Sequence, residues 1–156
     1  MNQVTIRQAT LADLDKLLAF EQALVDFERP LDATIKSGDI NYYDLEKMIS
    51  TPSVEIVVAE SAGEIVGCGY ASIEDSKPYL THRLHVYLGF MYVAPEHRGK
   101  GVNRLIMDEL KLWSISKGVT RMRLEVFASN PAAIKAYERV GFAPRLLEMT
   151  ASLIDA

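Results

Sequence analysis

The sequence predicts one α/β domain of the α+β kind over residues 1–156, in which a mixed sheet is flanked by about four helices; three observations carry this. The chain is close to the usual size of one domain, and 49% of its residues are hydrophobic, enough for a sizeable core. Its middle holds three consecutive β-rich runs with short connections, the mark of antiparallel pairing. From residue 85 it reads strand, helix, strand, helix, strand, which requires a parallel pair with a right-handed crossover.

Each element has its own signal. Val4 and Ile6 alternate with Thr5 and Arg7, a half-buried strand. Thr10 and Asp13 have capping-box spacing, and Leu14, Leu17, Leu18, Leu24 and Val25 then recur at helical intervals as far as Phe27. Residues 28–43 mix Pro, Gly, Asp and Asn without period and predict an irregular segment before a short helix from Tyr43 to Ile49. The runs 54–60, 64–74 and 85–95 are rich in β-branched and aromatic residues, and Ala62-Gly63 predicts a tight turn between the first two. Val102, Leu105, Ile106, Leu110 and Trp113 form the apolar stripe of a helix over 101–117 that Gly118 stops. A strand over 120–128, a helix from Asn130-Pro131 to Val140 and a last strand from Leu146 to Met149 complete the expectation.

Composition excludes several functions. A formal charge of -4 supplies no global basic field, and no basic stripe with interleaved aromatics is present, so no nucleic-acid partner is expected. No membrane partner is expected either, because no uncharged run approaches the ~20 residues of a span and no signal-peptide core follows the start. The single cysteine, Cys68, makes no internal disulfide and suits a reducing, cytoplasmic setting. Flanked by Gly67 and Gly69 with no histidine beside it, Cys68 reads as a small buried strand residue, and His82, His85 and His97 lack helical metal-ligand spacing, so no metal is expected.

The informative segment runs from a strand ending near Pro95 through Arg98-Gly99-Lys100-Gly101 into a helix. Glycines allow close backbone approach, a helix N-terminus offers unpaired N–H donors, and Arg98, Lys100 and Arg104 add charge, so a phosphate or pyrophosphate is the expected guest. Neither a Walker A loop nor a GxGxxG fingerprint is present, because Val102 follows Gly101 where Walker A needs Ser or Thr. Further on, Asn130 caps a helix opened by Pro131, and Tyr137 stands about two turns along on a similar side.

Val93, Pro95, Arg98 and Gly101 stand in the pattern V-x-P-x-x-R-x-x-G-x-G/A, and Asn130, Ala133, Tyr137, Gly141 and Phe142 complete N-x-x-A-x-x-x-Y-x-x-x-G-F. In these motifs and in element order the chain resembles the GNAT superfamily of N-acetyltransferases; Asn103 departs from the usual Gly or Ala. The resemblance implies a largely antiparallel sheet splayed between its fourth and fifth strands, and acetyl-CoA as cosubstrate. It implies that the backbone of Met91, Tyr92 and Val93 takes the pantetheine arm, that Arg98, Gly99, Lys100, Gly101, Val102 and Asn103 take the pyrophosphate, and that Asn130 contacts the cofactor arm. Tyr137 would also lie at the cofactor and act as the general acid for the leaving thiolate. The expected reaction is direct attack of a primary amine in a ternary complex, with a small-molecule or amino-acid-like acceptor favoured over a peptide or protein. A non-catalytic acyl-CoA-sensing module is the alternative. The resemblance also raises a homodimer, which no residue pattern specifies.

For the base that neutralises the amine, Glu125 is the nominal choice, as a carboxylate in an apolar strand; Asp26, Glu28, His85, Tyr87 and Tyr92 are chemically competent too. Residues 26–43 and the stretch from Tyr79 to His85 are the expected determinants of acceptor choice.

Overall fold

The computed structural model describes residues 3–154. Contacts divide the chain into two compact units, one ending at Glu125 and one beginning at Val126.

The first unit holds β1 (Val4–Gln8), α1 (Leu14–Glu28), α2 (Leu45–Ile49), β2 (Val54–Ser61), β3 (Glu64–Asp75), β4 (Leu84–Val93), α3 (Val102–Ser116) and β5 (Met122–Arg123). The strands form one sheet in chain order, antiparallel from β1 to β4 and parallel between β4 and β5. This is the mixed, largely antiparallel sheet that the sequence predicts. Ala62 and Gly63 take φ values of 53° and 77°, the two left-handed residues that a tight turn with the twist of its flanking strands needs.

Helices cover both faces of the sheet. On one face Leu17, Phe20 and Leu45 pack with Ile56, Val58, Cys68, Tyr70, Phe90 and Tyr92. On the other, α3 approaches so closely that a Cβ on Gly69 would stand 2.5 Å from Met91 Sδ and 2.9 Å from Ile106 Cγ2. Only glycine leaves that space, so GCG in β3 reads as the seat of α3. The first helix opens with a 3-10 turn, Leu11–Asp13, in which Thr10 N–H donates to Asp13 Oδ2 at 2.8 Å as the capping-box spacing predicts. Asp13 also receives both terminal nitrogens of Arg7, each at 2.8 Å, which ties α1 to β1.

Two strand expectations require correction. The run 120–128 forms a strand only at Met122–Arg123, because its partner β4 is paired there at Val86 and Tyr87 and the pairing goes no further. Residues 146–149 form no strand. Leu146 and Met149 are 83% and 84% exposed, and β-propensity without a neighbouring ladder does not make a strand.

The second unit contains α4 (Pro131–Arg139), capped by Asn130, whose Oδ1 accepts from Ala133 N–H at 3.3 Å. Gly141 follows at φ 103°, a conformation that favours glycine. No helix among the described residues is long and apolar enough to cross a membrane.

Candidate active site

The site starts from a fault in β4. Cys68 pairs with Tyr92 but Tyr70 pairs with Gly89, so Phe90 and Met91 together oppose Gly69. This is a β-bulge, with Phe90 at φ 54°, an outlier for a bulky residue that surrounding packing must enforce. Phe90 is 2% exposed, and its carbonyl lies 3.5 Å from Cys68 Sγ. Tyr70 holds the neighbouring corner, since any side chain on Gly89 would meet its ring at 2.5 Å.

The bulge lies where the sheet opens. Pairing of β4 with β5 ends at Tyr87↔Arg123, while β4 itself continues to Val93. Among the described residues no strand lies along Leu88–Val93 on that side, so Met91, Tyr92 and Val93 form the edge that an extended ligand could pair with. This is the splay that the resemblance implies.

The strand then runs through a 3-10 turn, Pro95–His97, to the predicted anion loop. Gly99 and Gly101 have φ of 75° and 81°, and at neither would a Cβ meet another atom within 4 Å. Gly99, Lys100 and Gly101 are exposed, Val102 is buried in the core and Asn103 is half-buried. Gly101 is the N-cap of α3 and no side chain caps that end. The first N–H groups of a 15-residue helix therefore face an open, glycine-lined surface beside Lys100, an arrangement suited to a phosphate. Arg98 also braces the loop, because its Nε donates to the Val93 carbonyl at 2.8 Å and its guanidinium lies 5.5 Å from the centre of the Tyr92 ring. These two contacts strap the loop to the end of β4.

On the α1 face, a row of aromatic rings leads away from the bulge. Phe90 contacts Tyr43 at 5.1 Å between centroids, Tyr43 contacts Tyr42 at 5.8 Å and Tyr70 at 5.4 Å, and Tyr70 contacts Tyr87 at 6.2 Å. Tyr87 donates to Glu125 Oε1 at 3.1 Å. The half-buried carboxyl of Glu28 is raised by desolvation. Burial likewise raises the phenols of Tyr42, Tyr43 and Tyr87, and takes Tyr70 to about 12, so all four are neutral donors near pH 7. Sequence reasoning missed Tyr42, Tyr43, Tyr70 and Phe90 as a group, since the first two lie in an aperiodic segment.

It also missed Glu21. This residue is 0% exposed, and its Oε2 accepts from the N–H of Tyr42 and of Tyr43 at 2.7 and 2.8 Å. The signal was present: Glu21 lies four residues from both Leu17 and Val25, an acid in the middle of an apolar stripe.

Of the predicted base candidates, Glu125 lies beyond β5 and is exposed, so the premise that it sits in an apolar strand is corrected: the ladder ends two residues before it. His85 is 8% exposed and has both ring nitrogens engaged. Its Nδ1 is 2.9 Å from Ser76 Oγ, while Nε2 is 3.0 Å from Glu74 Oε1 and, in the neutral tautomer protonated on Nδ1, accepts from Arg123 Nε at 3.1 Å. Asp26 is salt-bridged to Arg29. Cys68 is fully buried, and desolvation raises its thiol well above the ordinary value, which suppresses the thiolate. Within the second unit, Tyr137 packs edge-on against Phe142 at 5.8 Å.

The chain is similar to known acetyltransferases in sequence and in fold. The family model described as Acetyltransferase (GNAT) family matches residues 19–142. Among curated relatives, the IAA acetyltransferase of Azospirillum brasilense is 26% identical over 93% of this chain and 88% of its own. The thialysine N-epsilon-acetyltransferase of Bos taurus is 29% identical over 88% of this chain and 83% of its own. The match to the uncharacterized N-acetyltransferase YobR of Bacillus subtilis is 40% identical but spans only 36% of this chain and 23% of that protein. A predicted acetyltransferase from Clostridium acetobutylicum, solved with acetyl-CoA, shares the fold at a TM-score of 0.73, with 17% identity over 97% of each chain. The chain thus belongs to the GNAT family of acetyl-CoA-dependent acyltransferases.

Proposed function

We propose that the protein transfers the acetyl group of acetyl-CoA to a primary amine of a small-molecule or amino-acid-like acceptor, by direct attack in a ternary complex. One observation carries this reading: the bulged, one-sided edge of β4 leads through the Pro95–His97 turn to a helix N-terminus that no side chain caps, lined by Gly99 and Gly101. That combination suits an elongated ligand with an extended amide-bearing arm and a pyrophosphate, and acetyl-CoA has both. Bound there, it supplies a thioester as the acyl donor. Backbone groups of Met91, Tyr92 and Val93 would take the arm, and the N–H groups of the 99–103 stretch, with Lys100, Arg98 and Asn103, would take the phosphates. A relative named for thialysine supports an amino-acid-like acceptor.

The chain's own residues then meet three chemical demands. The acceptor ammonium, with an ordinary pKa of ~10.4 when lysine-like, must lose a proton. Glu125, which accepts a hydrogen bond from Tyr87, is the assigned base. Backbone N–H donors at the bulge supply the preorganised dipoles that developing negative charge on the carbonyl oxygen requires. Tyr137, assigned through the completed family pattern around it, protonates the leaving sulfur. Asn130 joins the cofactor set on the same ground, although its Oδ1 already caps α4.

The decisive experiment combines binding and turnover. Saturating acetyl-CoA at about 100 times its dissociation constant should stabilise the fold by ~2.7 kcal/mol, while ATP and NAD should leave the melt unchanged. Free CoA should then be released in the presence of amines, and Tyr137→Phe should lower kcat with acetyl-CoA binding retained. A shift without release from any amine would make the protein a sensing module, and no shift at all would remove the cofactor assignment.

A further inference from the structure

One nitrogen at the start of β4 is claimed by two neighbours with opposite needs. His85 is 8% exposed, and its ring is held among three side chains. Nδ1 lies 2.9 Å from Ser76 Oγ, and a hydroxyl donates or accepts, so this contact is met in either tautomer. Nε2 has no such freedom. Glu74 Oε1, 3.0 Å away, needs a proton on it, whereas Arg123 Nε, 3.1 Å away, is a permanent donor and needs its lone pair. A neutral ring satisfies only one of the two. With the proton on Nδ1, Arg123 is satisfied and the Glu74 side chain, 42% exposed, is left to solvent. An imidazolium carries N–H on both nitrogens, so it serves Glu74 and Ser76 and sets a proton and a like charge against Arg123. The loop before β4 adds His82, whose ring stands edge-on to that of His85 at 6.5 Å between centroids.

What Arg123 carries makes the choice consequential. It closes β5, whose whole ladder to β4 is Val86↔Met122 and Tyr87↔Arg123. Its guanidinium lies 4.9 Å from the centre of the Tyr87 ring, and Tyr87 in turn donates to Glu125 Oε1 at 3.1 Å. The bond from Arg123 to His85 therefore adds a tie across a seam that has only two ladder pairs, next to the carboxylate taken above as the base.

We propose that His85 is a positioning residue for acetyl transfer: as a neutral ring protonated on Nδ1 it holds Arg123 beside Tyr87 and so steadies β5 and Glu125, and its protonation hands Nε2 to Glu74 and releases Arg123. The catalytic consequence rests on the acetyltransferase reading above, whereas the release of the strand does not. The released state belongs to the acid side, where the imidazolium and the Glu74 carboxylate form a charge-assisted bond.

The first readout is ring-nitrogen NMR of the whole protein without ligand, which should find the His85 proton on Nδ1 in mildly alkaline buffer. A proton on Nε2 there would overturn the inference. The second is hydrogen exchange of the β5 amides, scaled to an unstructured peptide at the same pH. Protection should fall at least about threefold from pH ~8 to pH ~5, a span that brackets the ordinary imidazole pKa of ~6.5, and the amides of β3 should change less. His85→Gln offers Arg123 a carbonyl oxygen and takes up no proton, so its β5 protection should hold across the same span. Arg123→Met, which keeps the stem and loses the donor, should show low protection at both ends, and it carries the test should His85→Gln fail to fold. Wild-type protection that ignores pH, or that falls equally in the glutamine variant, would sink the proposal. In turnover, kcat/KM of wild type should fall about threefold further than that of His85→Gln, a comparison in which the titrations of the acceptor and of Glu125 cancel. Equal falls would remove His85 from the reaction. Failure of acetyl-CoA to bind would overturn the parent reading instead, and the NMR and exchange measurements would still decide this one.

Discussion

At the scale of single residues, Arg98 combines an expected duty with an observed one. The RGKG run marks it as an expected phosphate ligand, and its Nε is committed to the Val93 carbonyl, a contact that no sequence spacing announces. Its substitution should therefore act in two ways. Arg98→Ala should weaken acetyl-CoA binding by ~1.5 to 3 kcal/mol, the range of a charge-assisted hydrogen bond, and it should also loosen the end of β4. Arg98→Lys restores the charge without the strap, so titration calorimetry should show only partial recovery. Full recovery would mean that charge alone matters. Glu21, by contrast, was visible as an acid in an apolar stripe, but its purpose was not, because the two amides it binds lie 21 and 22 residues away.

Elements were legible wherever a local pattern sufficed. The Ala62-Gly63 turn, the amphipathic α3 and the Asn130 cap follow from neighbours along the chain, and all are present. The bulge at Phe90, the shortness of β5 and the irregular course of 146–149 depend on partners across the sheet, which one strand's alternation does not encode. The junction of β1 with the start of α1 offers a test at this scale. Arg7 holds the Asp13 carboxyl below its ordinary value, mainly by side-chain hydrogen bonding, so the contribution is complete above the unfolded-state pKa of about 3.9 and fades as pH falls through the depressed folded value. With Arg7 39% exposed the pair is partly screened, and Asp13→Asn should cost roughly 1 to 2 kcal/mol at pH 7. In chemical denaturation the gap between variant and wild type should close as pH drops toward 2; a gap unchanged with pH would show that Asp13 acts through packing alone.

At the scale of the molecule, the sheet is secured unevenly. β3 is paired along both edges, whereas β5 is held by a two-residue parallel ladder. Hydrogen exchange should accordingly find the slowest amides in β3 and its partners, and Met122 and Arg123 among the first strand amides to open. Equal protection of β5 and β3 would show that something besides the ladder holds the fifth strand. Strand order that copies chain order also bears on synthesis. Once residue 93 has left the ribosome, all four antiparallel strands and both helices of one face exist, and they can assemble from neighbouring segments. The helix that covers the opposite face has yet to emerge, so Val57, Ala59, Val66, Val86 and Leu88 stand bare in the meantime. A nascent chain of that length is the form of this protein most in need of a chaperone.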